Sequence, residues 1–339
     1  MARSAVLFLV CGVSILASGC VVVPLGDLLR PAPLQEQVII QGEGFLSQDK
    51  IALIEVDGLI TGEESLGLLS SQENTVAEVK ARLNRARSDP EVRGVVLRVS
   101  SPGGEVTACD VIHNEIVAFK EATKIPVVAA IVDEGASGGY YVACAADSIH
   151  SHPTAIVGSI GVMLQTFSVE GLFQKIGVEA LAIKSAEKKD ILSPFRARSA
   201  EEKAVLQRVI DDLYERFLEV ASSRPGGLDR DAVRPLADGR VFSGREALKL
   251  KLVDRVGYLR EAIEDVEKRS GIARRPTVVR YGRGLRSGAS LYSLAGEPPS
   301  ADSLPAPLLA SSGGGIQLSL KAGSLPRSRF LYLWDPTRP

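Results

Sequence analysis

The chain has 339 residues, 45% of them apolar and 24% charged, with a formal net charge of −1. Such a composition suits a globular protein able to bury a core in one large domain or two ordinary ones. It leaves no basic footprint for nucleic acid and no acidic tail.

Residues 1–20 read as an export signal. Arg3 supplies the positive start, residues 5–17 an apolar stretch, and Leu16-Ala17-Ser18-Gly19-Cys20 a run of small residues before a cysteine. The run resembles a bacterial lipoprotein box, in which Cys20 would be lipidated and become the mature N-terminus, although Ala17 stands where such boxes prefer leucine. Residues 5–25 are also about long enough to span a bilayer as an uncleaved anchor. Either way the body sits at a membrane, outside the cytoplasm.

Residues 21–49, rich in Pro, Gly and Gln, read as a tether. From Ile51 the pattern changes to alternating strands and helices. Apolar runs at 51–56, 94–99 and 126–132 predict buried strands, with helices at 75–88 and 106–122 between them, and a later strand at 178–183. This alternation implies an α/β fold with a mostly parallel sheet covered by helices. A long helix follows, opened by Ser199 with Glu202 three positions on. Its stripe of Leu206, Val209, Ile210, Leu213, Phe217 and Val220 predicts core or a subunit contact. Helices at 244–251 and 259–270 close a body of residues 50–274.

Residues 275–339 turn to Gly, Ser and Pro and read as a loosely ordered extension. Its last apolar cluster, residues 330–334, needs a surface to dock on, since such a cluster is unusual in a free tail. Cys11 and Cys20 lie in the leader. Cys109 and Cys144 sit in apolar helical contexts as buried thiols, and no cysteine has metal-ligand spacing.

Four small-residue or polar segments carry the chemistry. Ser100-Ser101-Pro102-Gly103-Gly104 follows the second strand, where a glycine turn can aim amides into a crevice. Gly135-Ala136-Ser137-Gly138-Gly139 follows the third and leaves a serine in a glycine cradle. Gly158-Ser159-Ile160-Gly161 is another tight turn, and Lys184-Ser185-Ala186-Glu187-Lys188-Lys189-Asp190 is a polar stretch. Serine needs a base to become a nucleophile. The only histidines are His113, His150 and His152, and no later one can complete a hydrolase order. The order His113, Asp133, Ser137 is crowded into one short stretch. Lysine is the remaining base.

Taken together and in this order, the four segments resemble the signal peptide peptidase A family of serine–lysine proteases. The resemblance spans roughly residues 50–265, including Ala237-Asp238-Gly239-Arg240 and Leu252-Val253-Asp254. It implies a Clp protease/crotonase-like spiral of ββα units and hydrolysis of membrane-associated peptides such as cleaved signal peptides. It also implies homo-oligomers with active sites facing an inner cavity, and no metal or cofactor.

By motif, Ser137 would be the nucleophile and Lys189 the general base, with Lys184 and Lys188 as alternatives close by. The amides of Gly104 and Gly138 would hold the oxyanion, and Ser159 would orient the lysine. Ala186, Glu105 and Lys251 replace glycines common in the family, and none of them removes a reacting group. An ordinary lysine is neutral in only about one molecule in 2,500 at pH 7, so the base is expected to turn inward against Ser137 and Ser159. Two other readings share the fold: a crotonase-type acyl-CoA enzyme, and a non-catalytic membrane scaffold.

Overall fold

The computed structural model describes residues 33–43, 49–62, 65–66, 71–72, 74–283 and 330–333. The leader with Cys20 and most of the C-terminal extension lie outside these residues.

The chain enters through strand β1 (Leu34–Ile40) and reaches the first core strand, β2 (Lys50–Asp57). The two-residue strands β3 (Ser65–Leu66) and β4 (Ser71–Gln72) pair with each other ahead of helix α1 (Thr75–Ser88). The Asn74 side chain caps α1 by accepting the Ala77 amide at 2.8 Å, a bond of the kind that contributes about 1 kcal/mol. Strand β5 (Val92–Ser101), short strand β6 (Gly103–Glu105) and helix α2 (Val106–Thr123) make the next pass. Strand β7 (Val127–Ala136) then runs straight into helix α3 (Gly138–Ala143).

Short strands β8 (Ser148–Ser151), β9 (Ile156–Gly158) and β10 (Met163–Leu164) follow, then helix α4 (Glu170–Lys175) and the long α5 (Ala200–Ser223). Helix α6 (Arg230–Val233), strand β11 (Val241–Ser243), helix α7 (Gly244–Lys249), strand β12 (Arg255–Val256) and helix α8 (Leu259–Ser270) lead to β13 (Thr277–Arg283). The last described strand is β14 (Phe330–Leu333).

The main sheet runs β1-β13-β2-β5-β7-β8-β12, with β9 also on β7 and β11 on β9. Its pairs are parallel except β1 with β13 and β9 with β11. Strand periodicity sorts the apolar side chains onto two faces. Ile51, Leu53, Val96 and Val128 meet Leu259, Ile263 and Val266 of α8. Ile54, Val56, Val95, Leu97 and Ile131 join the larger core on the other face, with α1, α2, α3 and the C-terminal half of α5. Twice the path reads strand, short strand or bridge, helix. It does so at β2, Ile60 and α1, and again at β5, β6 and α2, with Ile60 bridged to Gly104. That is the expected α/β winding of ββα units.

Three sequence expectations need correction. Residues 178–183 form no strand: Leu181 is 84% and Ile183 98% exposed, and among the described residues no strand pairs with them. The presumed tether contains β1, and the presumed loose extension contains β13. The two strands pair with each other, and β13 also pairs with β2 inside the main sheet. The helix expected at 244–251 stops at Lys249, as Lys251 turns left-handed at φ 58°. The capping box of α5 forms as expected, with Ser199 accepting the Glu202 amide at 3.1 Å and Glu202 accepting that of Ser199 at 2.9 Å. Cys109 and Cys144 are buried free thiols, and burial pushes Cys144 up to about 12.

Candidate active site

Ser137 is the hinge between β7 and α3. Its backbone sits at φ 51°, ψ −117°, a conformation that costs a non-glycine residue on the order of 1–3 kcal/mol. Three contacts hold it there. Its amide donates to the Gly158 carbonyl at 2.7 Å and its carbonyl accepts the Tyr141 amide at 2.9 Å, while Ala136 pairs with Gly158 in register. The side chain is 1% exposed.

The two glycine turns converge on this corner. A Cβ on Gly103 would stand 2.6 Å from the Gly138 nitrogen. Gly104 is fixed by Ile60, whose amide donates to the Gly103 carbonyl and whose carbonyl accepts the Glu105 amide, both at 2.9 Å. Alternation along a strand then turns the N–H and C=O of Gly104 away from Ile60. Gly138 is the first residue of α3, so its N–H has no partner within the helix. The Ser101 hydroxyl locks the turn by donating to the Gly58 carbonyl at 2.6 Å and accepting the Gly103 amide at 3.1 Å.

Ser159 stands beside Ser137. Each is the residue after a registered pair, Ala136 with Gly158, and each has φ 51°. Ser159 is 7% exposed, and its amide donates to the Arg240 carbonyl at 2.8 Å.

The lysines behave differently from the expectation. Lys189 lies on a short 3₁₀ turn, Glu187–Asp190, and is exposed, and no hydrogen bond joins it to Ser137 or Ser159. Its inward turn against those serines is therefore absent in the single chain. Its neighbours are engaged elsewhere. Lys184 donates to Asp190 at 2.6 Å and to the Glu187 carbonyl at 2.9 Å. Lys188 pairs with Glu201 at 2.7 Å. Asp190 also binds Arg196, which in turn holds Glu202 of the capping box. These hydrogen bonds from Arg196 and Lys184 keep Asp190 far below the usual carboxylate range. Those from Arg196 and the Ser199 amide lower Glu202 to about 2.

The histidines are occupied. His113 lies edge-on to Tyr141 with ring centroids 5.4 Å apart, and burial lowers it to about 4. His150 contacts Asp265 at 3.1 Å, and His152 contacts Thr154 at 2.9 Å. One residue at the site was read only as part of an apolar cluster: Tyr332 of β14 lies directly opposite Gly104.

The sequence profile of Peptidase family S49 matches residues 119–273. A protein of Enterococcus faecium described as a signal peptide peptidase SppA is 33% identical over 235 residues, 69% of this chain and 67% of its own length. The chain belongs to peptidase family S49. Another similar protein is a protease of Methanocaldococcus jannaschii, 38% identical over 62% of this chain and 66% of its own length. Protease 4 of Haemophilus influenzae is 34% identical over 67% of this chain but only 36% of its own length. The S49 chain thus spans about two thirds of the first two relatives and about a third of Protease 4. Membership in family S49 makes this a peptidase and supports the serine type.

Proposed function

We propose that this peptidase cuts membrane-associated peptides, such as signal-peptide remnants, with Ser137 as nucleophile and Lys189 as general base. The observation that carries this reading is the corner at Ser137. A strained serine there lies between two glycine turns, and Ser159 stands next to it in register. In the reaction, neutral Lys189 takes the Ser137 proton and the serine oxygen attacks the peptide carbonyl. The Gly104 and Gly138 amides stabilise the oxyanion, an effect that can reach several kcal/mol. The lysine then gives its proton to the leaving amine and activates the water that releases the acyl group.

The same reading has the chains assemble. Lys189 is carried on an arm, residues 165–198, that exposes Leu172, Ile176, Leu181 and Ile183 to solvent. The stripe at the start of α5 is also open, with Val209 39% exposed. Apolar surface of this kind fits a protein–protein contact, and a second copy covering it would bring the lysine to a neighbour's Ser137. The export signal places the body on the outer side of a membrane, tethered through Cys20 or an uncleaved anchor. Among the described residues no helix is long and apolar enough to cross a bilayer.

The test is hydrolysis of an apolar signal-peptide fragment by detergent-solubilised protein, beside Ser137→Ala and Lys189→Ala. Activity that vanishes in both variants supports the dyad. Loss in Ser137→Ala alone moves the base to Lys184 or Lys188, and equal activity in all three overturns the reading.

A further inference from the structure

Ser101, the last residue of β5, is fully buried. Its hydroxyl donates to the Gly58 carbonyl at 2.6 Å and accepts the Gly103 amide at 3.1 Å. Both glycines stand at positive φ, 67° for Gly58 and 105° for Gly103, so one hydroxyl joins two turns that only glycine makes without strain. Gly58 is held from its other side too, since its amide donates to the Ser100 carbonyl at 2.8 Å. The end of β2 and the turn after β5 therefore form one unit, and the Ser101 side chain links its two halves.

Ser101 also decides which amide of the turn is left over. Pro102 has no N–H, so only Gly103, Gly104 and Glu105 can donate. The Ser101 hydroxyl takes the first and the Ile60 carbonyl the third. The N–H of Gly104 lies between them, in one peptide unit with the Gly103 carbonyl, which accepts the Ile60 amide at 2.9 Å. That unit is held at its carbonyl by Ile60 and, one residue back, by Ser101. Without the hydroxyl, the Gly103 amide and the Gly58 carbonyl both lose a partner. Buried groups left unpaired are costly, so the turn shifts to find new ones and carries the Gly104 N–H with it.

Ser101 reaches the supports of the second amide as well. It pairs with Gly135 of β7, just past a shift in the register of β5 on β7. A Cβ on Gly139 would stand 2.5 Å from the Ser101 carbonyl oxygen and 3.3 Å from the Ser101 Cβ, so the first turn of α3 packs directly on this residue. Gly138, whose amide is the other one proposed for the oxyanion, is the residue before Gly139.

We propose that Ser101 is a positioning residue of the peptidase: its hydroxyl braces the turn that aims the Gly104 amide, and so sets that amide relative to the Gly138 amide for the oxyanion. The inference rests on the reading of Ser137 as nucleophile and adds to it a side chain that never meets substrate. Its effect is confined to the transition state, because the developing oxyanion depends on the two amides far more than the ground-state carbonyl does.

The test compares the full chain with Ser101→Ala and Ser101→Cys on one peptide substrate. Alanine removes both hydrogen bonds, and kcat is expected to fall about 100-fold, the scale of one oxyanion donor. Cysteine keeps the shape but is a weak donor and acceptor, and should lose about tenfold. KM should stay within about twofold in both. A peptide aldehyde, whose carbon bonds the Ser137 oxygen and whose own oxygen takes the oxyanion place, should lose affinity by the same factors. The amide of the same peptide should bind all three forms alike, a split that a merely structural role would not produce. A second measurement needs no variant to fold: in the unaltered protein the Gly103 amide should exchange with deuterium about 100-fold more slowly than an open-loop amide. Full kcat in either variant, equal losses for aldehyde and amide, or free exchange at Gly103 overturns the inference while leaving the nucleophile in place. Failure of a fluorophosphonate to label Ser137 in the parent overturns the nucleophile and the inference with it.

Discussion

The Ser137 amide donates to the Gly158 carbonyl at 2.7 Å, so the proposed nucleophile and Ser159, the residue after Gly158, are parts of one rigid corner. Two parallel strands in register deliver two serine side chains to the same end of the sheet, both from positive φ. In the proposed reaction one attacks and the other holds the amine that activates it. Ser159→Ala is expected to lower kcat by 10- to 100-fold, at the scale of one lost catalytic hydrogen bond, with KM within about twofold. The acidic limb of the pH–rate profile should also move, which a purely structural change would not cause. Unchanged kcat and profile would remove Ser159 from the machinery.

Strain at Ser137 makes a prediction that runs against the usual effect of mutating a buried residue. Glycine adopts φ 51° without steric cost, so Ser137→Gly should abolish hydrolysis and yet raise folding stability by about 1 kcal/mol. Ser137→Ala keeps the Cβ and should lose activity with no such gain. Urea midpoints of the two variants decide this, and equal midpoints would mean that the corner stores no strain.

Much of this site was legible as motifs, because glycine and serine turns after apolar runs have few other uses. Helix α1 falls on the residues its periodicity predicts, since Asn74 caps it and its apolar stripe is regular. The partnerships across space were not legible. The adjacency of Ser137 and Ser159 depends on the register of Ala136 with Gly158, which lies between strands distant in sequence. Residues 178–183 carry strand-like composition but have no strand beside them among the described residues, and composition cannot report a missing neighbour. For the same reason β13 was absorbed into the Gly- and Pro-rich stretch that follows it. Its place between β1 and β2 is a property of the sheet. Tyr332 was visible only as one member of an apolar cluster needing a surface, and the surface turned out to be the glycine turn itself.

Assembly through the arm predicts a complementation result. If Lys189 serves the Ser137 of another copy, mixing inactive Ser137→Ala with inactive Lys189→Ala chains creates sites that contain both groups. Reconstituted mixtures should recover a substantial fraction of parent activity. Recovery that stays at zero in a mixture shown to co-assemble would place both groups in one chain. Ile183→Asp, which puts a charge on a side chain 98% exposed in the single chain, should leave the fold intact while lowering the oligomer mass and the activity together. Light scattering that shows the parent and Ile183→Asp with the same mass would rule out this surface as the contact.

His113 makes the fold sensitive to mild acid. Burial is the main cause of its lowering to about 4; Arg216 and Lys120 push the same way, while Asp110 opposes them. An unfolded chain protonates the same ring near pH 6.5. Above that pH the ring is neutral in both states and contributes no slope. Between about 6.5 and 4 the unfolded chain takes up a proton that the folded chain refuses, so stability falls as pH falls, and below 4 the slope from this group ends. At pH 5 the cost is about 1–2 kcal/mol, allowing for partial exposure of the ring. His150, also lowered mainly by burial and opposed by Asp265, adds a slope of the same sign, so the comparison must be with a variant rather than with pH 7 alone. The urea midpoint of His113→Gln should therefore fall less than that of the parent between pH 7 and pH 5, by an amount equal to that 1–2 kcal/mol. Parallel pH curves for the two proteins would show that His113 reaches solvent and titrates as an ordinary histidine.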